Sequence, residues 1–571
     1  MRGRNFPRWE FLILHAVSNV TRAVLISGAA IAGLVPPSSA ADGKAETYLA
    51  VWASDKETDD HHLDPDFLAI IDADPRSPTY GEVVSTAALE SVPNANLLDE
   101  LGLASGVASD VLNEAHHMNH DPITVYGRQY LFPAGLMSAN IFRCDVTDPL
   151  HIPTCPLVTT STQVKKFAGI DDIVQLPNNH LLVTYLGAKD LTTPGGLVEI
   201  DVEGNVVHEY DAAQAGGPAR YMPSVKGVTD TGLLAHPHGM DFRRDLGVLV
   251  TSDYADPSSI AANTTPWNPD QDLGTTVRVW DVSHLDAGPQ KIVQVPAGAS
   301  VEPNRVQNAP EGLMEVGLTH LHRHKGAFTA SMQGGSLFYS PDITAPSPVF
   351  REVYDVGPGA GASPFIVTAD DRYLILPVAG ILSPGDPNYD RDYRGEHSRR
   401  LVALDIQRLL AAGLRVECDA PRVVMGPDGF TKKILGHNNG APDCPGEASS
   451  LTLDSEGNFA SHGGPHFIAV DHESRRIAAA NYFVQLTPFG LPGTMSGGDD
   501  RVCMAWLTPA GELIRDERFK DELTGQPCVA LDRPTSYLWP NRGKTGAAKP
   551  HMLAFINLPD ETGNEERGDD Q

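Results

Sequence analysis

With 571 residues and a formal charge of −30, the chain argues against a nucleic-acid partner. Binding phosphates needs a face rich in Lys and Arg, and the 43 bases stand against 73 acids with no basic patch. Ordinary hydrophobic (41%) and charged (20%) contents with 53 Gly and 45 Pro favour many short strands and turns over long helices, in several domains or in one repeat architecture.

The N-terminus reads as an address. Arg2, Arg4, Arg8 and Arg22 precede an apolar run over 23–35, and Pro36-Pro37-Ser38-Ser39-Ala40-Ala41 follows. A basic lead, a short apolar run and a small-residue cleavage site mark a secretory signal over 1–41. Cleavage near Ala40 or Ala41 would deliver the chain to the periplasm or the exterior. The run falls short of the roughly 20 apolar residues a membrane span needs. The long lead also contains Phe11-Leu12-Ile13-Leu14, so an uncleaved anchor is the alternative. No later segment is long and apolar enough to span a bilayer.

From residue 46 to 557 one pattern returns: a short apolar or β-branched strand ending in an acid or a polar turn. It occurs at 67–72, 139–145, 196–201, 276–281, 336–340, 400–405 and 501–506, with partner strands at 180–185, 246–251, 372–376 and 476–480. Echoes roughly 55 to 100 residues apart predict an all-β fold, a seven-bladed β-propeller with long inserted loops, in which sheets stacked on sheets build the core. Two or three unrelated β domains are the alternative. Pro/Gly-rich insertions at 255–274, 341–362, 382–398 and 418–446 would be face loops, where function concentrates. A helix is expected over 405–413, and the polar, acidic tail 558–571 reads as disordered.

The six cysteines are Cys144, Cys155, Cys418, Cys444, Cys503 and Cys528. An oxidising compartment would permit disulfides, and six cysteines allow about 15 pairings. Joining neighbours along the chain (144 with 155, 418 with 444, 503 with 528) is the economical choice. No Cys-x-x-Cys is present, which argues against a thiol redox motif.

The densest coordinating stretch is Asn113-Glu-Ala-His116-His117-Met118-Asn-His120, echoed by His236-Pro-His238-Gly and by His320-Leu-His322-Arg-His324. His466 follows Gly-Gly-Pro and His551 follows Lys-Pro. A transition-metal site wants three or four imidazoles from different elements, and loops of successive blades can meet at an axis. His116, His117, His236, His238, His322, His466 and His551 are therefore the expected metal ligands, more than one ion needs. An all-imidazole set suits copper or zinc, and a nearby Met or a thiol substrate favours copper. A histidine taken singly is more often solvated or hydrogen-bonded, as expected of His61 and His62. Asp386-Pro-Asn388-Tyr-Asp390-Arg-Asp392 alternates oxygen ligands, but Gly395 is misplaced and His397 stands where a bidentate Glu belongs, so a solvated loop is expected. Neither a Gly-x-Ser-x-Gly, a P-loop nor a dinucleotide fingerprint with strand context occurs, and no catalytic acid, base or nucleophile is assigned.

Tyr48-Leu-Ala-Val-Trp, Asp66-Phe-Leu-Ala-Ile-Ile-Asp-Ala-Asp-Pro-Arg-Ser-Pro-Thr-Tyr80 and Asp99-Glu-Leu-Gly102 closely resemble the opening of the selenium-binding protein family. Gly239-Met-Asp-Phe242, Thr275-Thr-Val-Arg-Val-Trp-Asp281, Leu321-His322 and Gly463-Gly-Pro-His-Phe467 resemble its later parts. Bacterial members include copper-dependent methanethiol oxidases. The resemblance implies a seven-bladed propeller and oxidation of a small thiol by O₂ and water to aldehyde, hydrogen sulfide and hydrogen peroxide. Where the family carries Cys-x-x-Cys after a Trp-Asn pair, this chain has the 113–120 stretch, so thiol or selenium chemistry at those cysteines does not carry over. The expected partner is a small sulfur compound. A non-enzymatic metal- or selenium-binding propeller is the rival, with metal storage a third reading. Oligomeric state stays open.

Overall fold

Runs such as Phe67–Asp72 and Leu181–Ala188 are apolar on both faces, as strands are when sheets cover them on either side. A computed structural model of the chain describes residues 47–56, 64–102, 106–111, 113–213, 220–222, 235–257, 273–296, 312–332, 335–356, 362, 364–379, 400–411, 422–425, 432–435, 446–453, 465–471, 473, 475–482 and 499–558. They belong to a unit spanning Ala45–Gly563; the second unit, Met1–Lys44 with Asn564–Gln571, falls outside them, as do the expected signal over 1–41 and the tail past 558. Among the described residues no helix is long and apolar enough to cross a membrane.

The fold is all-β, built of antiparallel sheets of four or five strands taken in sequence order. One sheet runs Phe167–Gln175, Leu181–Ala188, Gly196–Ile200, Val206–Asp211. The next holds Pro237–Arg243, Val248–Asp253, Thr276–Asp281 and Lys291–Gln294, with Arg220–Met222 added in parallel. Three more start at Leu313–Leu318, Ile366–Val367 and Phe467–Val470. Residues 123–159 form smaller three- and two-stranded sheets. The terminal sheet departs from sequence order: Val83–Ala88, Phe67–Asp72 and Thr47–Asp55 are completed by the last strand, Ala548–Asn557.

Apolar clusters join each sheet to the next. Leu197 and Leu182 meet Leu249 and Trp280; Val277 and Val279 meet Val316 and Phe338; Ile375 and Leu401 meet Ile477 and Ala479. A further cluster packs Ala478 and Val502 of the last sheet against Val51, Phe67 and Leu553 of the terminal one.

Most expected strands stand within a residue or two of their predicted bounds. The stretch 139–145 differs, splitting into Ile141–Phe142 and Cys144–Asp145, which enter separate sheets. Two insertions are not simply loops: 341–362 contains Arg351–Asp355, and 418–446 contains the antiparallel pair Arg422–Met425 and Lys432–Leu435. The helix at Ile406–Ala411 is capped by the Asp405 carboxylate, which accepts the Arg408 N–H at 2.9 Å. Cys144–Cys155 and Cys503–Cys528 are disulfides, while Cys418, Cys444 and the acidic 386–392 loop lie outside the described residues. The second bridge closes a separation of 25 residues. Removing it with Cys503→Ser and Cys528→Ser is expected to cost about 3 kcal/mol, largely by freeing the unfolded chain. Urea unfolding checks this, and a loss below about 0.5 kcal/mol would refute it.

Candidate metal centre

A regular strand points neighbouring side chains to opposite faces, so His116 and His117 need irregular backbone to act together. They have it. Glu114 takes a left-handed conformation (φ 47°), and beyond it the chain forms only a bridge from Ala115 to Gly135. The His116 N–H donates to Ala134 O, and the Ala134 N–H to His117 O. Gly135 permits this approach, because a Cβ there would stand 2.6 Å from Asn113 Cβ.

Other members of the cluster sit at β-bulges, where an extra residue re-aims side chains. In the terminal sheet Trp52 pairs with Met552 and Ala53 with Pro550, so His551 is the extra residue. Pro237 pairs with Asp253 and Met240 with Thr251, which places a bulge at His238-Gly239. Val183 pairs with Ile173 and Tyr185 with Ile170, which bulges the strand at Asp171-Asp172.

These irregular points converge. One ligand atom from each of His116, His117 and His551 lies within 4.8 Å of the others, and the same holds for His116, Asp171 and His238. All five residues are buried. Ring centroids of His116 stand 4.6 Å from both His117 and His551, and His466 stands 4.9 Å from His551. Asp171 organises the group: its Oδ2 is 3.1 Å from His116 Nε2 and 3.2 Å from His238 Nε2, and its Oδ1 is 3.4 Å from His117 Nε2. Asp172 Oδ1 accepts from His120 Nε2 at 3.0 Å and lies 3.6 Å from His117 Nδ1.

Burial decides protonation. It pushes His116 and His466 well below the ordinary histidine value and His238 down to about 4, so these imidazoles are neutral near pH 7, the form that ligates metals. Burial also raises Asp171, against the pull of His238 and His117. Desolvation works against ionising Asp172, yet the charge and hydrogen bond of His120, with His117 close by, hold it far below the usual carboxylate range. Nδ1 of His116, Nδ1 of His238, both ring nitrogens of His117 and Oδ1 of Asp171 are buried without a hydrogen-bond partner. Buried polar atoms normally have partners, and a metal ion would supply one to donor atoms this close together. The residues present fit a nitrogen-rich transition-metal site.

Of the seven histidines expected as ligands, the structure gathers His116, His117, His238 and His551, with His466 beside them. His236 is buried but stands outside both groups: its Nδ1–H donates to Leu186 O at 3.1 Å and its N–H to Asp253 Oδ1 at 2.8 Å. The expectation for His322 is corrected. Its side chain is 89% exposed, 2.8 Å from Asp245 Oδ2, in the turn after Leu313–Leu318. Its neighbours serve the same turn, with His324 Nδ1 2.7 Å from Asp371 Oδ2 and His320 Nε2–H donating to Val367 O. Asp171, which sequence reasoning missed, had one signal: adjacent acids inside the apolar run Phe167–Gln175, where a buried carboxylate needs partners.

A model of the family described as 56kDa selenium binding protein (SBP56) matches residues 31–301. The match includes His116, His117, Asp171, His236 and His238 and ends before His322, His466 and His551. Among solved structures, the chain is similar to a hypothetical selenium-binding protein from Sulfolobus tokodaii, at 13% identity and a TM-score of 0.55, covering 91% of this chain and 96% of that one. It is also similar to a periplasmic gluconolactonase from Pseudomonas aeruginosa, at 11% identity and a TM-score of 0.44, covering 90% and 100%. No curated protein matches the chain.

Proposed function

We propose, from the premise that the chain belongs through residues 31–301 to the selenium-binding protein family, that it is an exported, copper-dependent thiol oxidase built on a closed seven-bladed β-propeller. The reaction is that of a small thiol R–CH₂–SH with O₂ and water. The carbon bearing sulfur loses two electrons and takes its carbonyl oxygen from water, sulfur leaves as hydrogen sulfide, and O₂ takes the two electrons to become hydrogen peroxide. One observation carries this reading: His116, His117 and His238 gather around Asp171, and each keeps a buried ring nitrogen without a hydrogen-bond partner.

Copper, when bound, supplies a thiolate-binding centre and an electron path between sulfur and O₂. Zinc would fit the same donors but has no redox chemistry to offer. His116, His117 and His551, with His238 and Asp171 adjoining, would hold the ion. Asp171 orients three imidazoles through their Nε2 atoms, as outer carboxylates do for metal-bound histidines. The buried walls exclude bulk water, which keeps His116 and His238 neutral and their lone pairs available. Two disulfides favour an oxidising compartment, consistent with export. Propeller closure is supported by the pairing of Ala548–Asn557 with Thr47–Asp55 and by the apolar cluster joining the last sheet to the terminal one.

Protein purified with copper, with zinc or with neither, then given methanethiol and O₂, tests the reading. About one copper per chain and thiol-dependent peroxide are expected. Less than half an equivalent of copper would sink the metal assignment. Full copper without peroxide would favour the rival, a non-enzymatic metal-binding module.

A further inference from the structure

Just before His116-His117 stands Glu114, and just before Pro550-His551 stands Lys549. Both are buried, Glu114 at 2% and Lys549 at 1% exposure, although such long charged side chains almost never are unless paired. They pair with each other. Lys549 Nζ donates to Glu114 Oε2 at 3.4 Å, and the hydroxyl of the buried Tyr482 donates to Glu114 Oε1 at 2.6 Å. Lys549 Nζ also lies 5.6 Å from the centre of the Tyr482 ring, within cation–π reach. That ring meets the His551 ring edge to face, with 6.2 Å between centroids.

Each member sits on a different segment of the histidine centre. Glu114 opens the irregular stretch that carries His116 and His117, and its φ of 47° is part of that irregularity. Lys549 leads into the bulge at His551 and pairs across the sheet with Ser54, whose hydroxyl accepts the Ala115 N–H at 2.5 Å. Tyr482 follows the strand Arg476–Ala480, whose last carbonyl accepts the His466 N–H at 2.9 Å. The two oxygens of one buried carboxylate therefore reach the His551 bulge and the strand end beside His466, while its own backbone runs into His116.

A buried ion pair adds little net stability over apolar packing of the same volume, so stability alone does not account for these charges. The best-attested use of such groups is to fix register. Here the register is between segments 435 residues apart in the chain. A bulge disrupts the ladder that would otherwise set it.

We propose that Glu114, Lys549 and Tyr482 are positioning residues of the metal centre, a clamp that fixes the His551 bulge and the strand end beside His466 against the stretch carrying His116 and His117. The clamp rests on the reading of the histidine cluster as a metal site, and not on thiol oxidation.

The test follows copper(II) affinity by chelator competition, the copper(II) electron paramagnetic resonance spectrum and urea unfolding, all on the full chain. Glu114→Gln and Lys549→Met each leave one buried charge without the other, and each should lose stability and at least about tenfold in copper affinity. The double variant Glu114→Gln with Lys549→Met removes both charges. It should regain most of the stability yet keep the weakened affinity and an altered spectrum, because the link between the two segments is still missing. A merely structural pair would return all three readouts toward those of the unsubstituted chain. Unchanged affinity and spectrum in the double variant would overturn the clamp and leave the metal site standing, whereas no copper uptake by the unsubstituted chain would overturn both. If the single variants do not fold, the double variant still decides.

Discussion

His116→Ala is expected to weaken copper binding at least about a hundredfold and to bring thiol-dependent peroxide to background, while His322→Ala leaves both within about twofold. Replacing a mere outer partner of a metal ligand typically costs about 10- to 100-fold in affinity, and His116 stands closer to the centre than that. It is the residue common to the His116–His117–His551 and His116–Asp171–His238 groups, so either mode of holding an ion loses a donor. The fold should survive, since the ring packs at a tilt among other imidazoles and its one hydrogen bond is to Asp171. His322 is the matched control: it belongs to a histidine-rich run of the same appearance but stands in solvent against Asp245. Copper content by atomic absorption and a peroxide assay on both variants give the answer. Full copper occupancy in His116→Ala would remove that residue from the site.

Asp253→Ala is expected to cost about 3–5 kcal/mol of stability, the loss that follows when one partner of a buried ion pair is deleted. The Asp253 carboxylate accepts from Arg278 Nε at 2.8 Å, from the His236 N–H at 2.8 Å and from the Thr276 hydroxyl. Both Asp253 and Arg278 are fully buried. Without the carboxylate, the guanidinium keeps its bond to Ala212 O but loses the Asp253 charge in a low-dielectric interior. The double variant Asp253→Leu with Arg278→Met should lose less than the single one, because it removes the charge along with its partner. Urea unfolding of the three proteins checks this. A single-variant loss below about 1 kcal/mol, or a double variant worse than the single, would refute the account.

Strands at 67–72, 276–281 and 400–405 were legible because a short, mostly apolar or β-branched run closed by an acid is what a doubly covered strand looks like. The split of 139–145 was not: Arg143 looks like one more strand residue, yet its main chain bonds to Pro156 and its side chain reaches Val202 O. The histidine centre was legible in composition and illegible in geometry. His116-His117 and His320-Leu-His322 look equally able to bind metal on paper. What separates them is a left-handed Glu114, a tight Gly135 and bulges at Asp171-Asp172, His238 and His551, and a bulge leaves no mark in hydrophobic periodicity. Asp171 escaped notice for a related reason. An acid within a strand reads as solvent-facing until the bulge that turns it inward is known.

The strand that carries His551 is the last of the described strands, and its hydrogen-bonded neighbour, Thr47–Asp55, is the first. The terminal sheet thus depends on a contact spanning about 500 residues, among the least local a chain of this size can make, and non-local pairing slows folding. Until that contact forms, Thr47–Asp55 has an open edge, and the His116–His117 pair lacks its third imidazole. A chain not yet extended to Ala548–Asn557 would therefore present an open strand edge and only two histidines of the His116–His117–His551 group. Deleting Ala548–Asn557 would remove His551 and the partner of Thr47–Asp55 together.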